Sequence, residues 1–284
     1  MSKKEIVVVG IVKNVANTFM LDYHRTLNAL ANFNQVFWYI VESDSVDKSV
    51  EVLKKISESN SNFDFVSLGS LESKFENRTE RLAYARNKYL DEINNHSRYQ
   101  NCQFILVSDF NDLNKKLSVE SINSCFQVNN WQVCCANQTG PYYDIYALRH
   151  HLWSPNDCWS QHSFYRKYHR FPEKSLLASV KIRMIKIPYE SEWIKVESAF
   201  GGLAMYEKDT FKLGRYEGKD AEGNLICEHV PLNLAISRSG KNIFINPKFI
   251  NFAKTDHSTL ISLISTIRRF MKYPTKLLKK ISFD

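Results

Sequence analysis

The sequence predicts an α/β fold in which a doubly wound, mostly parallel sheet is flanked by helices. Two observations lead to this prediction. Short β-branched runs recur along the first half of the chain, and segments with apolar residues at helical spacing separate them. Such alternation is typical of a parallel sheet, whose strands are buried on both faces. The chain has 284 residues, 44% of them hydrophobic, with no Pro/Gly/Ser-rich linker and no internal repeat. We therefore expect one domain over residues 1–257 and a separate tail over residues 258–284.

The first half contains the most regular elements. Residues 6–12 are a β-branched apolar run that predicts a buried strand, and residues 13–17 then open a helix. Residues 46–57 predict a second helix, with Val50 among its inward-facing side chains. By the same criteria we expect strands at 36–41, 63–68 and 104–107 and a helix at 81–93.

The second half is less regular, and its predicted elements are shorter. A helix is expected to begin near Glu228, and an amphipathic helix over residues 260–281 is interrupted at Pro274. The remaining elements predicted here are helices at 118–128 and 161–169 and strands at 133–136, 182–187, 201–206 and 242–246.

The distribution of charge argues against a nucleic-acid partner. The formal net charge of +8 comes from 38 Lys and Arg against 30 Asp and Glu, but residues 268–284 alone hold six Lys or Arg and one Asp. The rest of the chain is therefore nearly neutral. A nucleic-acid-binding surface normally spreads its basic residues over one face of the fold.

Cysteine usage and hydropathy indicate a cytoplasmic protein. The six cysteines form no CxxC pair and no zinc-ligand spacing, which predicts reduced, buried thiols. The apolar run at residues 6–12 ends at Lys13, too early for a signal peptide. No stretch reaches the roughly 18 apolar residues of a membrane span. We expect a protein that is soluble or peripheral on a membrane.

Polar residues follow three of the predicted strands, at 13–14, 42–44 and 109–112. In an open parallel sheet, ligands bind beyond the carboxyl ends of the strands. Hard divalent cations are commonly held by one or two carboxylates plus substrate phosphates. Asp109 and Asp112 therefore suit Mg²⁺ or Mn²⁺. The alternative is an Asx-type turn, in which these side chains bond nearby backbone amides.

Several longer segments carry a family resemblance. They are ESDSVD at 42–47, RTERLAYARN at 78–87, YYDIYALR at 142–149, AFGGLAMY at 199–206 and CEHV at 227–230. In this order they resemble nucleotide-sugar glycosyltransferases of the GT-A fold, in particular bacterial capsule and lipopolysaccharide enzymes and, distantly, fungal capsule-associated mannosyltransferases. The resemblance covers roughly residues 5–255. It implies a GT-A-like, Rossmann-type fold with a nucleotide-sugar-binding half (1–115) and an acceptor-binding half (116–257).

The resemblance also implies metal ligands. The family's DxD motif falls on Asp109 to Asn111, where an amide replaces the second carboxylate, so Mn²⁺ or Mg²⁺ would be held more weakly. Asp112 is expected to compensate for the lost charge. His257 matches the late histidine that the family often supplies to the metal, and a solvated loop histidine is the alternative.

The family's base-bearing motif falls on residues 227–229 and makes Glu228 the expected general base, which deprotonates an acceptor hydroxyl. An acidic residue that favours the first turn of a helix is the alternative. Asp144 is next in line as the base. It also suits a sugar-binding platform among neighbouring tyrosines, although such tyrosines often pack in a core.

Donor and acceptor contacts complete the predicted site. Guanidinium groups match phosphate oxygens, and we expect Arg86 with Asn87 to reach the nucleotide, because helical geometry is expected to separate the arginines of residues 78–86. A solvated helix face is the alternative. The predicted donor contacts are Lys13, Asn14, Glu42, Asp44, Arg78, Arg86, Asn87 and Ser108, and the predicted acceptor contacts are Tyr142, Gly201, Gly202 and His229.

Together these features predict a metal-assisted glycosyltransferase that moves a sugar from a nucleotide-sugar donor to a glycan acceptor, free or lipid-linked, in bacterial surface polysaccharide synthesis. The alternative, to which Asn111 points, is a GT-A-like module that binds a glycan or nucleotide without turnover. The basic and apolar tail, above all residues 272–284, predicts docking on an anionic membrane at the inner face of the plasma membrane. Packing of the tail on the protein body is the alternative.

Overall fold

The computed structural model describes residues 4–110 and 112–253, which form one eight-stranded sheet with helices packed on it. The strands are β1 (Glu5–Val12), β2 (Gln35–Glu42), β3 (Phe63–Ser67), β4 (Phe104–Ser108), β5 (Val133–Gln138), β6 (Ile194–Val196), β7 (Leu203–Glu207) and β8 (Ile243–Phe252). The helices are α1 (Phe19–Ala29), α2 (Ser49–Ser59), α3 (Arg78–Asn95), α4 (Val119–Ser124), α5 (Cys158–Tyr168), α6 (Ser175–Ser179) and α7 (His229–Arg238).

The sheet is mixed, with four parallel pairings among seven. Strands β3, β2, β1 and β4 lie side by side and run parallel. Strand β7 is antiparallel to both β4 and β5, β5 is parallel to β8, and β6 closes the edge antiparallel to β8. The predicted α/β fold with a mostly parallel sheet is confirmed. Because β7 runs against β4, its amino end lies at the same edge of the sheet as the carboxyl end of β4.

In the first half, the predicted elements are confirmed to within a few residues, with two differences. Helix α3 begins at Arg78, three residues before the predicted start, so its basic first turn belongs to the helix. In α2, Val50 is exposed and the prediction that it faces inward is wrong. Ser49 is the buried residue instead, because its hydroxyl accepts a hydrogen bond from the backbone N–H of Val15 at 2.7 Å.

In the second half, the strand predicted at residues 182–187 is absent. A short 3₁₀ turn and a loop occupy this segment, and the strand of that region is β6. The side chain of Arg183 turns inward and donates hydrogen bonds to Ser154 Oγ and Asn156 Oδ1, which ties the segment to a loop and not to a neighbouring strand. Helix α4 also ends at Ser124, before the predicted residue 128, and β8 extends to Phe252. The predicted tail helix lies outside the described residues.

Apolar side chains cover both faces of the sheet. Along β1, Val7 and Val9 pack in one core cluster, whereas Ile6 and Val8 pack in the other. All six cysteines are buried with free thiols, as the sequence predicts. Within the described residues, no helix is both long and apolar enough to cross a membrane.

Candidate functional site

A cleft of about 780 Å³ opens at the sheet edge where the carboxyl ends of β1, β2 and β4 meet. Lys13, Asp44 and Asp109 follow these three strands and line the cleft, as expected for the ligand-binding edge of a parallel sheet. The opposite wall comes from the second half of the chain. It includes Tyr143, Asp144, Tyr146, Phe200, Cys227, Glu228 and His229.

One face of α3 forms the basic side of the cleft. Arg78, Arg81 and Arg86 all line it, so the helix brings the three arginines to one cleft, and the expectation that one ligand does not contact all three stays a prediction. At 3.6 residues per turn, the three positions fall within an arc of about 140° around the helix axis. Arg81 donates hydrogen bonds to the carbonyls of Phe75 and Glu76, whereas Arg78 is exposed at the mouth of the cleft.

Arg86 lies at the centre of the cleft and links its two walls. Its side chain is only 3% exposed. Nε donates to Glu228 Oε1 at 2.9 Å, Nη2 donates to Asp109 Oδ1 at 3.1 Å, and Nη1 donates to Tyr89 Oη at 3.2 Å. The guanidinium also lies 5.3 Å from the centre of the Phe200 ring. A buried guanidinium with this many partners is fixed in position, and it fixes the two carboxylates that it contacts.

Two glycines hold Asp144 and Asp109 at the cleft. The Gly201 N–H donates to Asp144 Oδ2 at 3.0 Å, and the Gly202 carbonyl accepts from the Asp109 N–H at 2.9 Å. Both glycines have positive φ, at 72° and 79°. A Cβ on Gly201 would lie 2.7 Å from the Ala136 carbonyl oxygen, and one on Gly202 would lie 2.9 Å from the Tyr143 hydroxyl. The turn before β7 therefore requires glycine at both positions.

His229 forms part of the apolar wall. Its ring stacks on Phe200, with centroids 3.9 Å apart and planes at 21°. Burial and the neighbouring Arg86 guanidinium hold its pKa well below the ordinary value, so the ring is neutral. Among the described residues, neither ring nitrogen has a hydrogen-bond partner, although the side chain is buried. The nitrogens themselves are buried, so the ring contributes to the wall through its stacking on Phe200.

Two carboxyl groups of the cleft, those of Asp109 and Asp144, protonate more readily than in water. Burial raises the pKa of Asp109, and the Arg86 guanidinium offsets part of this rise. Burial also raises the pKa of Asp144 to about 6, with the Gly201 N–H opposing the rise and the Asp109 and Glu228 carboxylates adding to it. A group that titrates near neutral pH in a cleft is suited to general acid–base chemistry.

Four of the predicted donor residues do not line the cleft and instead stabilise the structure around it. Glu42 is buried and accepts hydrogen bonds from the Ser45 N–H and the Ser67 hydroxyl. Asn14 accepts from the Val46 N–H at 2.9 Å. The other two are Asn87 and Ser108. The Asn87 side chain donates to the Tyr216 carbonyl and accepts from the Tyr216 N–H, and the Ser108 hydroxyl accepts from Asn114 Nδ2.

Tyr142 and the two glycines also lie outside the cleft lining. The Tyr142 ring is fully buried and packs edge-on against Trp153 at 5.5 Å, which is a core contact. Of the tyrosines expected to form a sugar-binding platform around Asp144, Tyr143 and Tyr146 line the cleft. Phe200 and Glu72 also line it, although the sequence motifs did not predict either residue as part of the site.

The predicted metal ligands separate in the structure. Asp109 lines the cleft, and its Oδ2 has no hydrogen-bond partner among the described residues. Asp112 turns away and pairs with Arg25 at 2.7 Å and with Lys115. Asn111 and His257 lie outside the described residues.

These residues fit a cation that arrives with its ligand. Within residues 4–110 and 112–253, no group of three or more His, Cys, Asp or Glu could hold a metal ion alone. Mg²⁺, however, is commonly bound by one or two carboxylates together with substrate phosphates, and Asp109 Oδ2 is free for that role in the described part of the chain. Asp109 and Glu228 both pair with the buried guanidinium of Arg86, so a divalent cation would add to the positive charge that balances these two carboxylates.

Neither a protein-family model nor a curated protein sequence matches the chain. Among solved structures, it is similar to the mannosyltransferase PcManGT from Pyrobaculum calidifontis in complex with GDP-Man and Mn²⁺, with 11% identity, a TM-score of 0.45, and coverage of 87% of this chain and 56% of that one. It is also similar to TarS from S. aureus in complex with UDP-GlcNAc, with 10% identity, a TM-score of 0.46, and coverage of 90% and 60%.

A third similar structure is glucosyl-3-phosphoglycerate synthase from Mycobacterium tuberculosis in complex with Mn²⁺, UDP-glucose and phosphoglyceric acid. It has 11% identity, a TM-score of 0.39, and coverage of 88% of this chain and 69% of that one. The structural similarity is to glycosyltransferases of the GT-A type. The chain spans less than two thirds of the length of the first two.

Proposed function

We propose that this protein is a glycosyltransferase that uses a nucleotide-sugar donor and a divalent cation. The observation that supports this most strongly is the arrangement of one cleft, in which a basic rim lies beside a central group of buried carboxyls. A nucleoside diphosphate needs the positive charges, and the transfer of a sugar to a hydroxyl needs a carboxylate that accepts a proton.

The donor diphosphate would bind at the rim formed by Lys13, Arg78 and Arg81. Lys13 Nζ lies 2.7 Å from Glu72 Oε1, and Arg81 Nη2 lies 4.0 Å from the same oxygen. The two carboxylates of Glu72 and Asp44 line this rim together with the three cations, which leaves a surplus of one positive charge for phosphate oxygens. When bound, the cation would be held by Asp109 and would neutralise the diphosphate leaving group.

Asp144 is the general base in this proposal, in preference to Glu228. The Glu228 carboxyl is about 6% exposed and its Oε1 accepts from Arg86 Nε, so an acceptor hydroxyl reaches it less readily than Asp144, which is half-buried. The Asp144 carboxyl lines the cleft, is oriented by the Gly201 N–H, and has a pKa of about 6. At neutral pH it is largely ionised and ready to accept a proton.

The chemical step is a single displacement. The acceptor O–H bond breaks and its proton passes to Asp144, while the acceptor oxygen forms a bond to the anomeric carbon. The bond between that carbon and the diphosphate breaks, and its electron pair leaves with the diphosphate. Attack opposite to the leaving group inverts the anomeric configuration.

Glu228 acts as a positioning residue, because its carboxylate fixes Arg86, which in turn orients Asp109. The acceptor sugar would lie against Tyr143, Tyr146 and Phe200, since aromatic faces pack well on the apolar faces of sugars. His229 would contribute to this wall through its ring, which stacks on Phe200.

The sequence motifs extend this proposal to the pathway. Their resemblance to capsule and lipopolysaccharide enzymes supports a glycan acceptor in bacterial surface polysaccharide synthesis, free or lipid-linked. The basic residues of 272–284 support a location at the inner face of the plasma membrane, where a lipid-linked acceptor would be found.

Slow donor hydrolysis tests the proposal without knowledge of the acceptor. The protein is incubated with Mn²⁺ and a panel of GDP-, UDP- and other nucleotide sugars, and released nucleotide is measured. We expect release from one donor class, loss of release in Asp109→Ala, and unchanged release in Asp209→Ala, whose carboxylate lies on the surface outside the cleft. Binding of a nucleotide sugar without any release would instead identify the non-catalytic binding module.

A further inference from the structure

A second surface, outside the cleft, is rich in exposed hydrophobic side chains. Sixteen large hydrophobic side chains are exposed among the described residues, and nine of them fall within residues 152–189. We call this set the aromatic surface. Its members are Leu152, Trp159, Phe164, Tyr168, Phe171, Leu177, Ile182, Ile185 and Tyr189. Isolated exposed hydrophobic residues are ordinary, but exposed hydrophobic side chains that lie close together mark an interaction site, and α5 and α6, which carry four of the nine, pack against each other.

Helix α5 shows that this exposure is a property of one face. Cys158 is buried and Tyr165 is half-buried, and they lie on the side that faces the protein. Phe164 and Tyr168, one turn apart, are 58% and 62% exposed, and their ring centroids are 4.9 Å apart. The helix therefore presents a pair of aromatic rings outward.

Basic side chains alternate with these aromatic rings. Between residues 158 and 189 the only acidic residue is Glu173. Lys167 lies 5.0 Å from the centre of the Tyr168 ring, and Lys174 lies 4.6 Å from the centre of the Phe171 ring. The exposed or half-exposed basic residues of this segment are Arg166, Lys167, Arg170, Lys174, Lys181 and Lys186.

We propose that the aromatic surface docks on an anionic membrane. Aromatic rings with a polar end partition into the headgroup region, and neighbouring Lys and Arg side chains gain from the negative surface potential of anionic lipids. The near absence of acidic residues leaves the surface with the charge that complements such a membrane.

The position of the aromatic surface gives the docking a consequence for the cleft. The Ile185 carbonyl accepts from the Tyr142 N–H at 2.8 Å, and the Trp153 indole donates to the Arg183 carbonyl at 2.6 Å. These bonds join the surface to the segment that carries Asp144. Docking would therefore hold the acceptor side of the cleft close to the lipid headgroups. Vesicle binding tests this docking independently of the proposed activity.

The test is co-sedimentation of the full chain with vesicles of phosphatidylglycerol and phosphatidylcholine, compared with vesicles of phosphatidylcholine alone. To isolate the aromatic surface, the variants are made in a full chain that carries Lys276→Gln, Lys279→Gln and Lys280→Gln. We expect Lys167→Gln with Arg170→Gln to weaken binding to the anionic vesicles by about tenfold or more, because each basic residue contributes about fivefold. High salt should likewise weaken the binding of the parent to the anionic vesicles.

A second variant removes apolar contact at constant charge. Phe164→Ser with Tyr168→Ser should lower binding to a similar degree. The control for the aromatic variant is Leu21→Ser, which removes an exposed apolar side chain from α1. The control for the charge variant is Lys54→Gln with Lys55→Gln on α2. Both controls should bind vesicles like their parent. Circular dichroism confirms that each variant is folded.

Two outcomes would overturn the proposal. Unchanged sedimentation of both the charge and the aromatic variants would show that the aromatic surface does not contact lipid. Concentration-dependent self-association of the parent that is lost in Phe164→Ser with Tyr168→Ser, with no vesicle binding, would assign the surface to a second copy of the chain.

Discussion

A single guanidinium joins Glu228 to Asp109. Arg86 donates from Nε to one carboxylate at 2.9 Å and from Nη2 to the other at 3.1 Å, across separations of 142 and 23 positions in the sequence. The residue predicted to be the base and the residue predicted to hold the metal are therefore parts of one ion-pair network. A change at either carboxylate alters the charge that the other one experiences.

The first prediction concerns the stability of this network. Arg86→Met should lower the free energy of unfolding by about 3–5 kcal/mol, because it leaves the buried Glu228 carboxylate without its partner. Arg215→Met is the control, since Arg215 pairs with Asp91 on the surface and such pairs contribute about 1 kcal/mol or less. Urea denaturation measures both. Equal losses would show that the buried network adds no more than a surface pair.

The second prediction concerns the pH dependence of the rate. If Asp144 is the base, donor turnover should rise with pH through about 6 as the carboxyl ionises, and then level off. Asp144→Asn should remove this limb and lower the rate on the order of a hundredfold or more. A pH–rate profile of both proteins is the measurement. An unchanged limb in the variant would assign the titration to another group.

The third prediction concerns how stability depends on pH, and it follows from the raised pKa of Asp144. The pKa of Asp144 rises from 3.8 to about 6, so between these values the folded state holds a proton that the unfolded state has released. The free energy of unfolding should therefore lose this contribution as the pH rises through that range. Asp144→Asn should be more stable than the parent at about pH 7, with the difference disappearing below about pH 4. Denaturation at several pH values tests this.

The fourth prediction separates the two candidate bases. Glu228→Gln keeps the size of the side chain but removes its negative charge. Arg86 and Asp109 then lose their fixed arrangement, and turnover should fall by roughly tenfold to a hundredfold. A limb should remain because Asp144 is intact, but at a lower pH, because the Glu228 carboxylate no longer raises the pKa of Asp144. Loss of that limb in Glu228→Gln would instead make Glu228 the base, as the sequence motif predicts.

The fifth prediction concerns the turn before β7. Gly201→Ala should destabilise the fold by more than about 1 kcal/mol and should also impair turnover, because φ is positive and a Cβ would meet the Ala136 carbonyl. Gly223→Ala is the matched control. Gly223 has a φ of 85° with open space around its Cα, so the substitution adds backbone strain alone and leaves turnover unchanged. Equal effects of the two substitutions on turnover would argue against a role of the turn in holding Asp144.

The sequence by itself determined the class of fold and the edge of the sheet that carries the cleft. β-branched runs separated by helical periodicity identify buried strands from local pattern alone, and the carboxyl ends of parallel strands share one edge by topology. Lys13, Asp44 and Asp109 were found in this way, because each directly follows a strand. These inferences need only residues that are close in sequence.

The tertiary structure alone decided which polar side chains face the cleft. Asp109 and Asp112 are three positions apart, yet one lines the cleft and the other pairs with Arg25, because α1 offers a cation on the opposite side. The antiparallel insertion of β7 places the glycine turn against Asp109. Arg86 and Glu228 lie 142 positions apart in the sequence, and only the folded structure brings them into contact. Hydrogen bonds between distant segments leave no local pattern in the sequence, and so the direction of each functional side chain follows from the folded core.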